Sequence, residues 1–323
     1  MLVVTGGAGF IGSVLLWQLN MAGRDDIIVV DHLGTSEKWR NLVKRRYADY
    51  LPRERFRELL LRNALPFSVS GIVHLGACSA TTEQNSDFLM DNNYLYSQDL
   101  CRYAADHGIR MLVASSAATY GDGSLGFDDD PELISALRPL NMYGYSKQLL
   151  DLWLLRQGLS ESIISLKFFN VYGPNEYHKG SMSSVVLKAH AEIRQRGRLS
   201  LFASNRQDLA DGEQQRDFVY VKDCTALMAW LLENPEICGI HNVGTGQART
   251  FNDLGRAVFA AMGRSPVIDY QPMPEKLKAH YQNYTCADMH WLEELSCPVS
   301  FVSLEQGVRD YVTQYLESPD PYV

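Results

Sequence analysis

Three regularly spaced glycines near the amino terminus constrain the fold of this chain more than any other feature. Gly6, Gly9 and Gly12 follow the short, mostly apolar run 2–5 and lead into further apolar residues from Phe10 onwards. In a strand–turn–helix unit, such glycines allow a sharp turn, close approach of a pyrophosphate to the backbone, and tight packing of helix on strand. The N–H groups of the first helical turn also favour phosphate. The segment therefore predicts a dinucleotide-binding unit.

A second predicted strand, 27–31, ends in an acidic residue roughly 20 positions after the glycine loop. Asp31 stands where an acidic group typically binds the ribose 2′-hydroxyl of NAD. Lys38, Arg40 and Arg53 follow, and they could instead bind the 2′-phosphate of NADP, although any one of them could be a solvated surface residue. The residues themselves leave NAD and NADP both open.

Alternating strand and helix patterns continue along the chain. Apolar runs predict strands at 71–77, 111–116 and 163–169, and helical spacing predicts helices at 92–107 and 143–156. Strands separated by helices of this length are typical of a parallel sheet with crossover connections. We therefore predict an α/β fold with a Rossmann-type doubly wound parallel sheet.

The pattern changes after about residue 171, where the predicted elements become shorter and a polar stretch at 204–215 predicts a flexible loop. We assign residues 1–171 to a dinucleotide-binding domain and 172–323 mainly to a smaller, interleaved α/β substrate-binding domain. Segments near 216–245 have strand patterns again, so we expect them to return to the first domain.

Charge and composition exclude several classes of protein. The 323 residues carry a formal net charge of −8, which argues against nucleic acid as the main partner. No apolar run approaches the roughly 18 residues of a membrane span, and the chain starts with a strand pattern, so we expect a cytoplasmic protein without a membrane partner. The six cysteines form no C-x-x-C pair and the histidines have no metal-binding spacing, so we expect reduced thiols and no metal.

Tyr143 and Lys147 are four residues apart, so on a helix they share one face. A tyrosine has a pKa near 10, and a nearby ammonium group lowers it. The tyrosine can then accept a proton from a substrate hydroxyl as hydride leaves for a nicotinamide. Ser116 ends a predicted strand, at the sheet edge where ligands bind, and can hydrogen-bond to the same oxygen. Together with the glycine loop, these residues predict a redox enzyme acting on a carbinol.

These motifs resemble a known superfamily. The segments TGGAGFIG at 5–12 and SSAATYG at 115–121, with Tyr143-x-x-x-Lys147, are similar to the extended short-chain dehydrogenases/reductases, which include nucleotide-sugar epimerases and dehydratases. Five further segments resemble the ADP-L-glycero-D-manno-heptose 6-epimerase family, bacterial enzymes that supply heptose for lipopolysaccharide core. They lie at 76–79, 90–94, 169–174, 178–182 and 216–221, and the resemblance runs from residue 1 to roughly 315.

The resemblance implies NADP as cofactor, a small nucleotide-sugar substrate and a homo-oligomer, with a pentamer as the expected form. It implies acid/base roles for Tyr143 and Lys179, supported by Ser116 and Lys147. The implied cofactor contacts are Gly6, Gly9, Phe10, Ile11, Gly12, Asp31, His32, Lys38, Arg53, Leu75, Gly76, Ala77, Cys78, Ser79, Asn92, Lys147, Val171 and Lys179. The implied substrate contacts are Ser116, Asn170, Ser181, Lys188, Phe202, Ala203, Ser204, Asn205, Arg216 and Tyr281.

Inversion at C6 gives a physical reason for two acid/base groups. Hydride must leave one face of the carbon and return to the other, so the 6-ketone oxygen changes position after rotation about the C5–C6 bond. Tyr143 would serve one epimer and Lys179 the other, with burial or a nearby cation lowering the pKa of Lys179. Lys179 could otherwise be a simple phosphate or cofactor cation. Arg216 suits a diphosphate, and its alternative is an ion pair with Asp217 or Asp223.

Four positions depart from the family pattern. Arg53 replaces a lysine and Leu75 a glutamate near the cofactor, Lys188 replaces a histidine at the substrate site, and 206–215 resembles an insertion. The last two bear on which sugar is bound, so another NAD(P)-dependent nucleotide-sugar epimerase or dehydratase is the alternative. A 4,6-dehydratase would need an acidic pair beside Ser116, where Ala117 and Ala118 stand. A non-catalytic NADP-binding protein is a further alternative, but it would not need both Tyr143 and Lys147.

Overall fold

The computed structural model describes residues 1–278 and 281–323. Its strands are β1 (Leu2–Thr5), β2 (Ile27–Asp31), β3 (Asp49–Pro52), β4 (Gly71–His74), β5 (Arg110–Ser116), β6 (Ile163–Phe168), β7 (Asn170–Tyr172), β8 (Leu199–Phe202), β9 (Gln215–Tyr220), β10 (Gly239–Val243), β11 (Ala248–Thr250) and β12 (Ile268–Gln271). Its α-helices are α1 (Phe10–Met21), α2 (Arg53–Leu61), α3 (Ser86–Leu89), α4 (Tyr96–Asp106), α5 (Met142–Arg156), α6 (Val185–Arg196), α7 (Val221–Glu233), α8 (Phe251–Ala261), α9 (Glu275–Lys278), α10 (His290–Glu294) and α11 (Leu304–Tyr311).

A parallel sheet of seven strands forms the centre of the fold, in the order β10-β6-β5-β4-β1-β2-β3. The first strand lies between the second and fourth, with Leu2 aligned to Ile27 on one side and Gly71 on the other. Helices cover both faces, so the inner strands are buried throughout and read as continuous apolar runs. The predicted Rossmann-type α/β fold is confirmed.

Alternation along β1 divides its side chains between two apolar clusters. Leu2 and Val4 pack with α1 and α7 on one face, and Val3 packs with α2, α4 and α5 on the other. A third cluster combines α6, α8 and α11 with the smaller sheets. The carboxyl ends of the central strands therefore sit on a rigid base, and they face the part of the chain built after residue 170.

The smaller part of the fold contains two short sheets. β9 pairs in parallel with β7 and antiparallel with β11, and β12 pairs in parallel with β8. β10 follows β9 along the chain but joins the central sheet beside β6. The two strand patterns expected near 216–245 therefore belong to different sheets.

Two elements differ from the boundaries that the sequence suggested. β4 ends at His74: the Leu75 N–H still donates to the Thr5 carbonyl of β1 at 3.0 Å, but the Gly76 N–H donates to the Thr5 hydroxyl at 3.1 Å. The helix expected at 92–107 starts earlier, since α3 and α4 are joined through a π-helical segment at Met90–Leu95. An apolar run marks burial but does not mark where the chain leaves the sheet.

The segment 203–214 lacks regular secondary structure, as expected for a loop. The Asp211 carboxylate accepts the Ser204 N–H at 2.7 Å, and the Asn252 amide donates to the Asp211 carbonyl at 3.0 Å. These bonds fasten the loop to the start of α8. Among residues 1–278 and 281–323, we find no helix with the length and apolar character needed to cross a lipid bilayer.

Candidate active site

The glycine loop connects β1 to α1 through a turn that has no room for side chains. Gly6 has φ +68°, and a Cβ there would lie 2.7 Å from the Gly76 nitrogen. A Cβ on Gly12 would lie 2.2 Å from the Gly6 carbonyl oxygen. The helix begins at Gly9 without a side-chain cap and without an acidic residue in its first turn. Its first N–H groups are thus left for an anionic ligand, as a pyrophosphate site requires.

A cavity of about 680 Å³ opens above this loop, at the carboxyl ends of the central strands. Every residue implied as a cofactor contact lines it except Val171, which packs partly buried against two of the apolar clusters. Tyr143, Lys147, His178 and Lys179 line the same cavity. The structure therefore brings the glycine loop and both groups expected to transfer protons into one space.

Asp31 ends β2 at the side of the cavity, and its carboxylate is already engaged. It accepts the N–H of Ala8 at 2.8 Å and of His32 at 2.6 Å, and it forms an ion pair with Lys38 at 2.5 Å. Arg53 reaches the same region and donates to the side chain of Asn92. The acidic group is thus neutralised by a cation that also lines the cavity.

Tyr143 lies in the first turn of α5, which begins at Asn141 through a side-chain cap to the Gly144 N–H at 2.8 Å. Burial raises the pKa of Tyr143, and an interaction with the Ser116 hydroxyl opposes part of that rise. Lys147 is not among the groups that shift it, so our expectation that the nearby ammonium lowers this pKa is wrong. Burial of the ring has the larger effect.

Lys147 lies one turn further along α5 and is 2% exposed. Its Nζ donates to the Ala114 carbonyl of β5 at 2.8 Å, which fixes the side chain across the sheet edge. Burial lowers the pKa of Lys147 to about 8, while the Asp151 carboxylate opposes this change. The ammonium therefore loses its proton only above neutral pH.

Lys179 lies on a 3₁₀ segment, Tyr177–Met182, whose start is anchored by a buried carboxylate. Glu176 accepts the Ser184 N–H at 2.5 Å and the Ser184 hydroxyl at 2.7 Å. The Lys179 ammonium lies 5.3 Å from the centre of the Phe10 ring. Burial lowers the pKa of Lys179, the Glu176 carboxylate opposes this, and Lys188 lowers it further. The predicted direction of this pKa shift is confirmed.

Arg216 is a buried guanidinium, 8% exposed, on β9. Its charged group lies 5.1 Å from the Tyr281 ring and 5.6 Å from the Phe251 ring. Asp217 instead accepts N–H groups of Thr245, Gly246 and Ala287. Within the described ranges 1–278 and 281–323, no carboxylate forms an ion pair with Arg216, which makes this cation suited to an anionic ligand.

The remaining residues implied as substrate contacts lie outside the lining of the 680 Å³ cavity. Lys188 is exposed and donates to the Ser181 carbonyl at 2.7 Å. The side-chain oxygen of Asn205 is buried and finds no hydrogen-bond partner within the described part of the chain. The other members of this group are Asn170 at the start of β7, Phe202 at the end of β8, and Ala203 and Ser204 in the following loop.

Some residues at the cavity were not singled out by the sequence. His178 lines it beside Lys179, and burial lowers the pKa of His178 to about 4, so the ring is neutral. The side-chain amide nitrogen of Asn41 lies 3.3 Å from the His178 Nδ1 and donates to the Ala8 carbonyl at 2.9 Å. His178 was within reach of sequence reasoning because it precedes Lys179 directly, whereas Asn41 lies in a segment without a motif.

The sequence model of the NAD dependent epimerase/dehydratase family matches residues 2–244, three quarters of the chain. The chain belongs to this family. A curated relative from Nitratidesulfovibrio vulgaris (strain DP4), named ADP-L-glycero-D-manno-heptose-6-epimerase, is 59% identical over 323 residues, with 100% of both chains covered. A relative of the same name from Fusobacterium nucleatum is 44% identical, again with 100% of both chains covered. The relatives confirm the family that the sequence motifs predicted.

Solved structures of this epimerase/dehydratase family share the fold. The crystal structure of Helicobacter pylori ADP-L-glycero-D-manno-heptose-6-epimerase matches with a TM-score of 0.82 and 26% identity, covering 97% of this chain and 95% of the other. A Thermus thermophilus UDP-glucose 4-epimerase in complex with NAD matches with a TM-score of 0.77 and 25% identity, covering 96% and 97%. The segment 206–215 falls within the full-length match to the Nitratidesulfovibrio relative, so that similarity extends through the apparent insertion.

Proposed function

We propose that this chain converts ADP-D-glycero-D-manno-heptose to ADP-L-glycero-D-manno-heptose by epimerisation at C6, a step in supplying heptose for lipopolysaccharide core. One observation carries the proposal beyond similarity. Two groups able to transfer a proton, Tyr143 and Lys179, come from distant segments and line the same cavity as the glycine loop. A simple dehydrogenase needs one such group, whereas inversion through a ketone benefits from two.

NADP is the cofactor that the polar residues of the cavity favour. Asp31 already accepts three hydrogen bonds, one of them from a paired ammonium, so its capacity for a ribose hydroxyl is reduced. Lys38 and Arg53 line the cavity beside it and suit the 2′-phosphate of NADP. If so, denaturing the purified protein will release NADP. Release of NAD alone would contradict this assignment.

The first proton transfer belongs to Tyr143. The cofactor, held by the glycine loop, would supply the acceptor and later the donor of the C6 hydride. The Tyr143 phenolate takes the proton of the C6 hydroxyl, while the Ser116 hydroxyl donates a hydrogen bond to the same oxygen. Lys147, held by the Ala114 carbonyl one helical turn further along α5, supplies a positive charge to this part of the cavity at neutral pH.

The second proton transfer belongs to Lys179. After rotation about C5–C6, the ketone oxygen points away from Tyr143, and the Lys179 ammonium donates a proton to it as C6 is reduced on its other face. A lysine with a lowered pKa exchanges protons near neutral pH more readily than an ordinary one. Its anchorage through Glu176 and its contact with the Phe10 ring hold it at the cavity.

The nucleotide part of the substrate extends toward β9. Arg216 donates to the diphosphate, and the Tyr281 ring lies 5.1 Å from its guanidinium. Asn170, Ser181, Lys188, and the segment 202–205 complete the substrate site in this proposal. The division into a dinucleotide domain, 1–171 with later returning segments, and a substrate domain follows from this assignment.

The direct test incubates the purified protein with ADP-D-glycero-D-manno-heptose, first without added cofactor and then with NADP, and detects the L-glycero epimer by NMR. In deuterated water, C6 of the product should keep its hydrogen, because hydride returns without exchange. Deuterium at C6 would contradict transient oxidation. If a protein shown to hold its cofactor forms no product, the assignment of the ADP-heptose as substrate is contradicted.

The alternative is another NAD(P)-dependent nucleotide-sugar epimerase or dehydratase. It is tested in the same assay with UDP-glucose and ADP-glucose as matched substrates. Turnover of either one, with no turnover of the ADP-heptose, would favour it. We also propose a homo-oligomer, with a pentamer expected, which light scattering coupled to size-exclusion chromatography measures directly.

A further inference from the structure

A fully buried ion pair lies behind the catalytic helix. Lys167 on β6 and Asp151 on α5 are both 0% exposed, and the Lys167 Nζ lies 2.8 Å from an Asp151 carboxylate oxygen. Neither residue lines the cavity. Burying two charges carries a large desolvation cost, so an apolar pair of equal volume is often at least as stable. Stability alone therefore gives little reason for this pair.

Asp151 joins the catalytic helix to two central strands. It follows Lys147 by one helical turn and Tyr143 by two, so it lies on the same side of α5. One carboxylate oxygen accepts the Ser165 hydroxyl of β6 at 2.8 Å. The other accepts the Ser115 hydroxyl of β5 at 2.7 Å as well as the Lys167 ammonium. The helix is thus tied to the sheet by bonds of defined geometry rather than by apolar packing alone.

Lys167 extends these contacts to the residue that touches Tyr143. Its Nζ also donates to the Thr119 hydroxyl at 2.8 Å, and that hydroxyl donates to the Ser116 carbonyl at 2.8 Å. Ser116 is the residue whose hydroxyl interacts with Tyr143. Two residues earlier on the same strand, the Ala114 carbonyl holds Lys147. The buried pair is therefore connected to Ser116 through Thr119, and the strand that carries Ser116 also holds Lys147.

We propose that Asp151 and Lys167 are positioning residues, which hold α5 against the end of β5 and thereby set the placement of Tyr143 and Lys147 relative to Ser116. This inference rests on the proposed function for its catalytic consequence. The geometry itself does not depend on which sugar is bound.

The electrostatic surroundings give the proposal a distinctive signature. The titratable groups that face Lys147 are Asp151 and Tyr143 from its own helix, Cys101 from α4 and His74 from β4. Burial raises the pKa of Cys101 and lowers the pKa of His74 to about 3, so both are neutral. Asp151 is then the charge that sustains the Lys147 ammonium.

Lys167 in turn faces the Asp151 carboxylate, the Thr119 hydroxyl, the ring of Tyr120 and, further off, Asp129. Burial raises the pKa of Tyr120, so this ring is neutral. Removing Asp151 and removing Lys167 should therefore shift the pKa of Lys147 in opposite directions. Without Asp151 its pKa falls, and without Lys167 the unpaired carboxylate raises it.

The experiment compares Asp151→Asn, Lys167→Met and the double variant with the unmodified protein. Two quantities are measured for each: the pH profile of epimerisation, and the titration of Lys147 followed by trace acetylation at each pH with quantification by mass spectrometry. Asp310→Asn is the matched control, because it breaks the Lys222–Asp310 pair of 2.7 Å, neither residue of which lines the cavity.

We expect Asp151→Asn to lower kcat by about tenfold to a hundredfold at neutral pH, because small displacements of catalytic groups have large effects. Its basic limb and the Lys147 titration should move to lower pH by about one unit, and those of Lys167→Met should move to higher pH. The double variant should regain stability, since neither charge is left unpaired, but keep the displacement to lower pH. The control should change stability alone.

A purely structural role predicts another pattern. Activity would then follow thermal stability, all pH profiles and Lys147 titrations would superimpose, and the double variant would recover both properties. That result would overturn the proposal. If the labelling titrations move as expected while no variant epimerises the ADP-heptose, the proposed function fails and the positioning role stands.

Discussion

Arg216 provides the sharpest test of how the proposed substrate site is built. It is a buried guanidinium that lies within 6 Å of the centres of two aromatic rings. Burial lowers its pKa, which means that the fold places the charge in a poor environment. Such a group is costly without an anion and favourable with one. Arg216→Met should therefore stabilise the ligand-free protein and weaken its binding of ADP.

The magnitudes follow from the surroundings. Replacing a buried charge by an apolar side chain of similar volume should raise the free energy of unfolding by about 1–2 kcal/mol, and the melting temperature by about 2 °C. A charge-assisted hydrogen bond contributes about 1.5–3 kcal/mol. Loss of a two-pronged contact with the diphosphate should then weaken ADP binding about 100-fold.

Arg249 offers a matched control. It is the direct cross-strand partner of Arg216 in the β9–β11 pair, but its guanidinium forms ion pairs with Asp253 at 3.3 Å and Glu305 at 2.5 Å. Arg249→Met should lower stability and leave ADP binding unchanged. Calorimetric titration with ADP and thermal unfolding measure both variants. A destabilised Arg216→Met protein that binds ADP normally would refute the reasoning.

Three further predictions concern the cavity. Tyr143→Phe and Lys179→Met should each lower epimerisation by about 100-fold or more, but Lys179→Met should keep one half-reaction, seen as reduced cofactor that forms and persists on adding substrate. Lys147 has a pKa of about 8 against 10.5 for an ordinary lysine, so activity should fall above pH 8, and Lys147→Arg should move this fall to higher pH. Because a Cβ at residue 12 would clash with the Gly6 carbonyl, Gly12→Ala should purify without nucleotide, as its ultraviolet spectrum would show.

The fold was predictable because its signals are local. The glycine loop, the buried strands β1, β2 and β5, and the helix α5 that carries Tyr143 and Lys147 each have a pattern that a short window of sequence contains. In a parallel sheet, buried strands and covering helices then leave few arrangements. The residues at the carboxyl ends of those strands came together as expected.

Other features depend on contacts between distant segments. The pKa of Tyr143 was expected to respond to Lys147, its neighbour on the helix, but burial by the surrounding fold has the larger effect. The pairing of Asp31 with Lys38 joins two groups that the sequence presented as rival signals for NAD and NADP. Neither could be derived from spacing, since both depend on how much water the folded chain excludes.

The three buried cations also depend on how much water the folded chain excludes. Lys147, Lys167 and Arg216 are each at most 8% exposed, and sequence alone would place such residues on the surface. Their partners differ: Lys147 has a backbone carbonyl, Lys167 has a carboxylate, and Arg216 has the Gln215 carbonyl at 2.8 Å and two nearby aromatic rings. Lys167, which has a full counter-charge, positions α5 in our proposal, while Arg216, which forms no ion pair within the described part of the chain, is a cation that a diphosphate would satisfy. In this chain, the partner of each buried cation therefore distinguishes ligand-binding cations from structural ones more clearly than residue type does.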